Sequence, residues 1–210
     1  MLPPAPRSRT KTARGLRAVA GLLLILACAS AAAADQTQSL EFPVKATYLY
    51  KFAPFVDWPP AVFAAPESPI VMCIVGDDPF GPMLDRAVAG ERIRNRPIVV
   101  RRLRTADRRA GCHIMYIAGS SSQSVEAALR AVEGAPILTI TDAMHQSAVK
   151  GIVHFVIQER RVRFQIDDMA AARNGIKISS KLLNLAVSVK PRAEELLRTI
   201  ACVRCRNSGS

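Results

Sequence analysis

The stretch that decides the fold is residues 69–81, PIVMCIVGDDPFG. Its apolar run from Pro69 to Val75 is typical of a strand that is buried on both faces, because such a strand shows no polar alternation. The sequence Gly76-Asp77-Asp78-Pro79 then predicts a tight turn. Asp78 is a good helix N-cap and Pro79 a good first helical residue, so we expect a helix from Pro79 to about Ala89.

The same alternation of strand and helix continues along the chain. Further strands are predicted at 98–103, 112–117 and 136–141, an amphipathic helix at 122–133, and an antiparallel hairpin from residues 152–158 and 161–166 around Glu159-Arg160. This order predicts an α/β domain with a mainly parallel sheet of five or six strands. We expect helices on both faces and the hairpin at the edge of the sheet.

Helices are predicted at both ends of this domain and after its fourth strand. Val44, Tyr48, Phe52 and Phe55 form a helical stripe that Pro54 and Trp58-Pro59-Pro60 should end. Asp142 is a candidate cap for a short helix to about Val149. Asp167 or Asp168 should cap a helix that Asn174-Gly175 ends. A last helix is expected from about Ser179 to Cys202, with a break at Pro191 as the alternative.

The N-terminus has the three parts of a secretory signal peptide. Residues 7–17 are basic, residues 18–29 are small and apolar, and residues 31–34 are four alanines before Asp35. Twelve apolar residues rise only about 18 Å as a helix, which is too short for a hydrocarbon core of about 30 Å. We expect cleavage near Ala34; an uncleaved anchor and lipidation at Cys28 are the alternatives.

The domain plan follows from this leader. Residues 1–34 form the cleaved signal peptide, 35–41 a short mature N-terminal segment, 42–190 the α/β domain, and 191–210 a helix end with a Cys/Arg-rich tail. The formal net charge of +12 includes five basic residues of the leader. Without them 24 basic and 17 acidic residues remain, which gives +7, a moderately basic chain that does not require a nucleic-acid partner.

No catalytic constellation is found in the sequence, and no cofactor or metal is expected. Gly76, Asp77, Asp78 and Pro79 follow a strand where α/β folds bind ligands, but the stretch lacks both phosphate-loop patterns. Ser120-Ser121-Ser122 is explained by helix capping, with anion binding as the alternative. The three histidines, His113, His145 and His154, have no recognisable partners.

Several segments together resemble the YfiR family of exported bacterial regulators. They are VKATYLYKFAPFVDWP (44–59), IVGDDPFG (74–81), GCHIMYI (111–117) and VRFQIDDMAAARNGIKISSKLLNLA (162–186). The resemblance implies a periplasmic, often dimeric α/β protein without catalytic activity. It also implies binding to the periplasmic sensor part of an inner-membrane diguanylate cyclase or a similar sensor kinase, which represses cyclic-di-GMP output. An outer-membrane lipoprotein relieves that repression in the best-known member.

The resemblance also bears on the cysteines. Family members carry a pair at places similar to Cys73 and Cys112, which implies a disulfide between neighbouring strands in a 2-1-3 order; two buried free thiols are the alternative. A second family disulfide has no counterpart, because residues 142–151 contain no cysteine. Cys202 and Cys205 form a C-x-x-C at the tail, for which we expect a local or intermolecular disulfide rather than redox catalysis.

One signature segment of the family mixes exposed basic and apolar residues here. Lys177, Ile178, Ser179, Ser180 and Lys181 form either a surface for a partner or anionic ligand, or the start of an ordinary capped core helix. The leading hypothesis is therefore a non-catalytic periplasmic regulator. A periplasmic small-ligand-binding module is the main alternative, and a thiol–disulfide redox protein the third.

Overall fold

A computed structural model describes residues 40–192, so the predicted leader, Cys28, Cys202 and Cys205 lie outside the described residues. In this range the α-helices are α1 (residues 40–51), α2 (Pro82–Val88), α3 (Val125–Ala131), α4 (Asp168–Arg173) and α5 (Ser180–Leu183). The strands are β1 (Val56–Asp57), β2 (Ile70–Gly76), β3 (Arg92–Ile93), β4 (Arg96–Leu103), β5 (Ile114–Gly119), β6 (Leu138–Asp142), β7 (Val153–Gln158), β8 (Arg161–Asp167), β9 (Lys177–Ile178) and β10 (Ser188–Lys190).

The main sheet confirms the predicted α/β class. Its strand order is β10-β8-β7-β6-β5-β2-β4-β3, and five of its seven pairings are parallel. The first predicted strand, β2, lies between β4 and β5, which is the 2-1-3 order. The sheet is larger than the five or six strands expected, because the short strands β3 and β10 extend its two ends.

The C-terminal part of the sequence prediction is wrong in two respects. The helix α5, the last one among residues 40–192, ends at Leu183. The chain then extends beside β8, where the Val187 N–H donates to the Phe164 carbonyl at 2.9 Å. The free edge of β8 supplies ladder hydrogen bonds to β10, so this tertiary partner outweighs local helix propensity. The β7–β8 hairpin is consequently internal, not at the edge. The predicted helix beyond residue 192 lies outside the described residues.

Side chains of the sheet alternate between two buried cores. On the first face, Met72 and Tyr116 pack with Leu49 of α1, Leu84 of α2 and Leu182 of α5. On the second face, Cys73 and Ile117 pack with Val125 and Ala128 of α3. Because both faces are covered, the central strands β2 and β5 are apolar throughout, which is why the sequence revealed them.

The helix α1 buries a different stripe from the one predicted. Phe52 is buried, but Val44 is 41% exposed, and the residues that face the sheet include Lys45, Ala46 and Leu49. A 3-10 turn at Ala53–Phe55 follows the helix and leads into β1, which pairs with β9 in a separate two-stranded sheet. This small sheet ties the N-terminal part of the domain to the Lys177–Lys181 segment.

Candidate functional site

Two glycines meet at the carboxyl ends of β2 and β5. Gly76 and Gly119 have φ of +85° and +78°, and a Cβ on Gly76 would lie 2.2 Å from the Gly119 carbonyl oxygen. The Asp77 N–H donates to the same carbonyl at 3.0 Å. The chain turns away on opposite sides at this point, since β4 lies beyond β2 and β6 beyond β5. Such switch points are where open α/β sheets place their ligand crevices.

The turn after β2 forms as predicted, but the prediction that Asp78 caps the helix is wrong, because the helix begins three residues later than expected. The Asp78 carboxylate accepts from the Phe80 N–H at 2.8 Å and pairs with Arg102 at 2.7 Å. The helix α2 starts at Pro82, with Gly81 as its N-cap residue. Pro79 therefore belongs to the turn. The Arg102 guanidinium joins Asp78 and Asp85, and the hydrogen bond from Arg102 lowers the pKa of Asp85.

A fully buried lysine lies beside this turn on the first face of the sheet. The Lys45 ammonium forms ion pairs with Glu41, one turn earlier in α1, and with Asp142 at the end of β6. Its Nζ also lies 5.7 Å and 6.0 Å from the ring centres of Phe42 and Phe155. A buried charge is tolerated only when it is paired in this way. The burial of Lys45 was not predicted from the sequence. The signal was its position on the core-facing stripe of α1, with Glu41 at i−4 and the apolar Leu49 at i+4.

The carboxylate of Asp142 connects Lys45 to a turn with a histidine. One oxygen of Asp142 accepts from the Met144 N–H at 3.0 Å, and the other lies 3.4 Å from the Tyr116 hydroxyl. Asp142 thus caps a 3-10 turn at Ala143–His145, which is shorter than the helix predicted to Val149. The Tyr116 hydroxyl lies 3.2 Å from His145 Nε2.

Burial determines the protonation of this cluster. It raises the pKa of Tyr116 above its usual range, and the neighbouring charge of Asp142 acts in the same direction. Burial lowers the pKa of His145, while the Asp142 charge opposes that shift. Both side chains are therefore uncharged near neutral pH. The formal charges of the cluster remain on Glu41, Lys45 and Asp142.

A cavity of about 450 Å³ opens next to this cluster at the switch point. Its lining includes Asp77, Gly119, Ser120, Ser124, His145 and Ser147. Ser120 accepts hydrogen bonds from the Ser122 and Gln123 N–H groups within a turn. The helix cap predicted at Ser120–Ser122 is instead Ser124, which accepts from the Ala127 N–H at the start of α3. A ligand crevice at this edge of the sheet was predicted from the sequence. The presence of His145 and Ser147 in its lining was not.

A disulfide joins Cys73 of β2 to Cys112, immediately before β5. The two Cα atoms are 5.9 Å apart, and the strands are neighbours in the sheet. This confirms the pairing that the family resemblance implied. The next residue, His113, accepts from the Val71 N–H through Nδ1 at 3.1 Å and stacks on Phe63 at 4.5 Å. Burial lowers the pKa of His113, which keeps this acceptor unprotonated.

The family signature segment, Lys177–Lys181, has side chains both in the core and on the surface. Ile178 and Leu182 are buried, whereas Lys177, Ser180 and Lys181 are exposed. Ser179 is half-buried; its N–H donates to the Phe55 carbonyl at 2.8 Å, and its hydroxyl caps α5 by accepting from the Lys181 N–H. The segment is therefore a capped core element that holds two lysines on the surface, and its contact with a partner or an anionic ligand stays a prediction.

The remaining acidic pairs have structural partners. Asp167 caps α4 by accepting from the Ala170 N–H, and the buried Asp168 pairs with Arg192 at 2.7 Å. Among residues 40–192, no three His, Cys, Asp or Glu side chains are grouped as a metal site would require. Within that same stretch, the helices are too short or too polar to cross a bilayer.

These features define a class of protein: an α/β domain with a polar crevice at its switch point and a disulfide between the two strands that form it. A family model described as YfiR/HmsC-like matches residues 42–187, and the chain belongs to this family. A search of curated proteins finds no match.

Family membership places the chain among regulators of diguanylate cyclase signalling. Members are generally non-catalytic, and the family is periplasmic. The matched range, 42–187, lies within the domain that the sequence analysis placed at 42–190.

Proposed function

We propose that this chain is exported through its N-terminal signal peptide and binds the periplasmic sensor part of an inner-membrane diguanylate cyclase. In this proposal, binding represses the synthesis of cyclic-di-GMP. The observation that carries the proposal is the family match over residues 42–187. The basic and apolar pattern of residues 7–29 supports export.

Repression of this kind needs no chemistry on a substrate. A regulator shifts the cyclase towards its inactive state if it binds that state more tightly. A preference of about 1.4 kcal/mol changes the ratio of the two states tenfold. Such a preference is within reach of a few contacts on a rigid surface.

We infer that the contact surface includes the Lys177–Lys181 segment. Its backbone is held by β1 through the pairs Val56↔Ile178 and Asp57↔Lys177, and the buried Leu182 fixes the helix that follows. The lysines are thereby presented from a rigid base, which lowers the entropy cost of binding. Their charge suits an acidic patch on the sensor domain.

The test uses the full-length protein in its own cell. Deletion of the gene should raise cyclic-di-GMP, and the tagged protein should retain a membrane cyclase in a pulldown. Lys177→Glu with Lys181→Glu should abolish both effects. Arg130→Glu is the matched control, because Arg130 is exposed on α3, which packs on the opposite face of the sheet. Unchanged cyclic-di-GMP after deletion, together with no recovered cyclase, would contradict the proposal.

Further assembly belongs to the proposal as well. We expect a homodimer, release of the cyclase by an outer-membrane lipoprotein, and, in place of a cyclase, a sensor kinase as an alternative output. A small-ligand-binding module is the second candidate function, and the 450 Å³ crevice favours it. The thiol–disulfide alternative rests on Cys202 and Cys205, which lie outside the described residues.

A further inference from the structure

The crevice at the switch point has the electrostatic character of a site for a cation. Asp77 lines it, and no hydrogen bond or ion pair to the Asp77 carboxylate is found among the described residues. Glu126, the other carboxylate in the lining, is paired with Arg130 at 2.6 Å. The described part of the lining contains no lysine or arginine. A phosphate or carboxylate ligand would therefore meet an unpaired negative charge without a compensating base.

The other polar groups of the crevice add hydrogen-bonding capacity without positive charge. The imidazole of His145 stays neutral because burial lowers its pKa. The hydroxyl oxygens of Ser120 and Ser124 accept from backbone N–H groups. An ammonium group donates three hydrogen bonds and matches an unpaired carboxylate.

We propose that this crevice binds a small primary amine, with the Asp77 carboxylate pairing with the ammonium group. A volume of about 450 Å³ accommodates a compact molecule of this kind. The site is distinct from the lysine surface that we propose for the cyclase. Amine binding does not depend on the cyclase partner, so the two proposals can fail separately.

The crevice is linked to α1 by a hydrogen bond and an ion pair of Asp142. His145 stands on the 3-10 turn that Asp142 caps, and the same carboxylate pairs with Lys45 of α1. An amine that displaces the turn of His145 therefore acts on the ion pair that holds α1 to the sheet.

Putrescine is the probe that tests the site, and 1,4-butanediol is its neutral counterpart of the same length. Titration of the purified protein with putrescine should shift the backbone amide resonances of Gly119, Ser120 and His145, whereas the diol should not. Asp77→Asn should weaken putrescine binding about tenfold or more, because it removes a charge-assisted hydrogen bond. Asp107→Asn is the control; Asp107 is exposed, caps the 3-10 turn Arg108–Ala110 and does not line the crevice.

Three outcomes overturn the proposal: no shift at millimolar putrescine, equal shifts with the diol, or unchanged affinity in Asp77→Asn. The first excludes the site, the second excludes charge recognition, and the third assigns binding to other groups. Because Asp77 is exposed, the variant should fold normally, and its circular dichroism spectrum verifies this.

Discussion

Lys45 carries the largest single-residue prediction. Its ammonium is fully buried between Glu41 and Asp142. Lys45→Met should lower the free energy of unfolding by about 3–5 kcal/mol, because it leaves the buried Asp142 carboxylate and the partly buried Glu41 carboxylate without the lysine. Urea titration followed by circular dichroism measures this loss. Lys51→Met is the matched control on the exposed end of the same helix, and it should change stability by less than about 0.5 kcal/mol. Equal losses in the two variants would contradict our account of the cluster.

Gly76 tests the close approach at the switch point. Gly76→Ala places a Cβ 2.2 Å from the Gly119 carbonyl oxygen, at a φ of +85°. Gly90 has a similar φ of +75° but no atom within 4 Å of such a Cβ. Gly90→Ala should therefore cost about 1–2 kcal/mol from backbone strain alone. Gly76→Ala should cost at least about 2 kcal/mol more because of overpacking. Similar losses of unfolding free energy in the two variants, measured by thermal or urea unfolding, would show that the ends of β2 and β5 can separate freely.

For single residues, the sequence predicted turn and helix caps more accurately than groupings of side chains that are distant in sequence. Asp142 and Asp167 cap the elements that follow them, as predicted. Asp78 accepts the Phe80 N–H inside its turn, although the N-cap residue of α2 is Gly81. Capping is local, so the sequence contains all the information that it requires. The grouping of Lys45 with Asp142 is not local, and it depends on how α1 packs across the sheet.

The disulfide belongs to the scale of elements, because it ties β2 to the start of β5. Cys73 and Cys112 are 39 residues apart in sequence. The closed loop should stabilise the fold by about 4 kcal/mol in the chain-entropy model. Reduction with dithiothreitol should therefore shift the urea midpoint of the wild-type protein to lower concentration. The midpoint of Cys73→Ala with Cys112→Ala should be low in both conditions. A reductant effect that persists in the double variant would assign the stabilisation to other cysteines.

Strands were predicted more accurately than helix boundaries for a physical reason. The strands β2 and β5 are buried on both faces, so their apolar runs are continuous and bounded by turns. The short strands β3 and β10 lack such runs and form only because an edge partner is available. The same edge contact explains why the predicted helix from Ser179 stops at Leu183.

At the scale of the whole molecule, the α/β class could be predicted and the site could not. Alternation of strands and helices is a property of the linear pattern, and it specified the class and the position of the crevice. The members of the site come from α1, from β5, from the end of β6 and from the turn after it. Only the assembled sheet brings Glu41, Tyr116 and His145 to one edge. Recognition of the family came from spaced segments, which report the fold rather than the site.

Export is the prediction that concerns the whole chain. If residues 1–34 are a cleaved leader, the protein recovered from the periplasm by osmotic shock should begin at Asp35, which N-terminal sequencing or intact-mass measurement detects. Leu24→Arg should leave the chain in the cytoplasm with its leader attached, because a charge at the centre of an apolar segment costs about 2.5–3.5 kcal/mol on insertion. Cys28→Ser is the matched control in the same segment, and it should be exported and cleaved like the wild type. An added lipid mass that Cys28→Ser abolishes would replace simple cleavage with lipidation. Wild-type protein retained in the cytoplasm with Met1 to Ala34 intact would contradict export and, with it, contact with a periplasmic sensor.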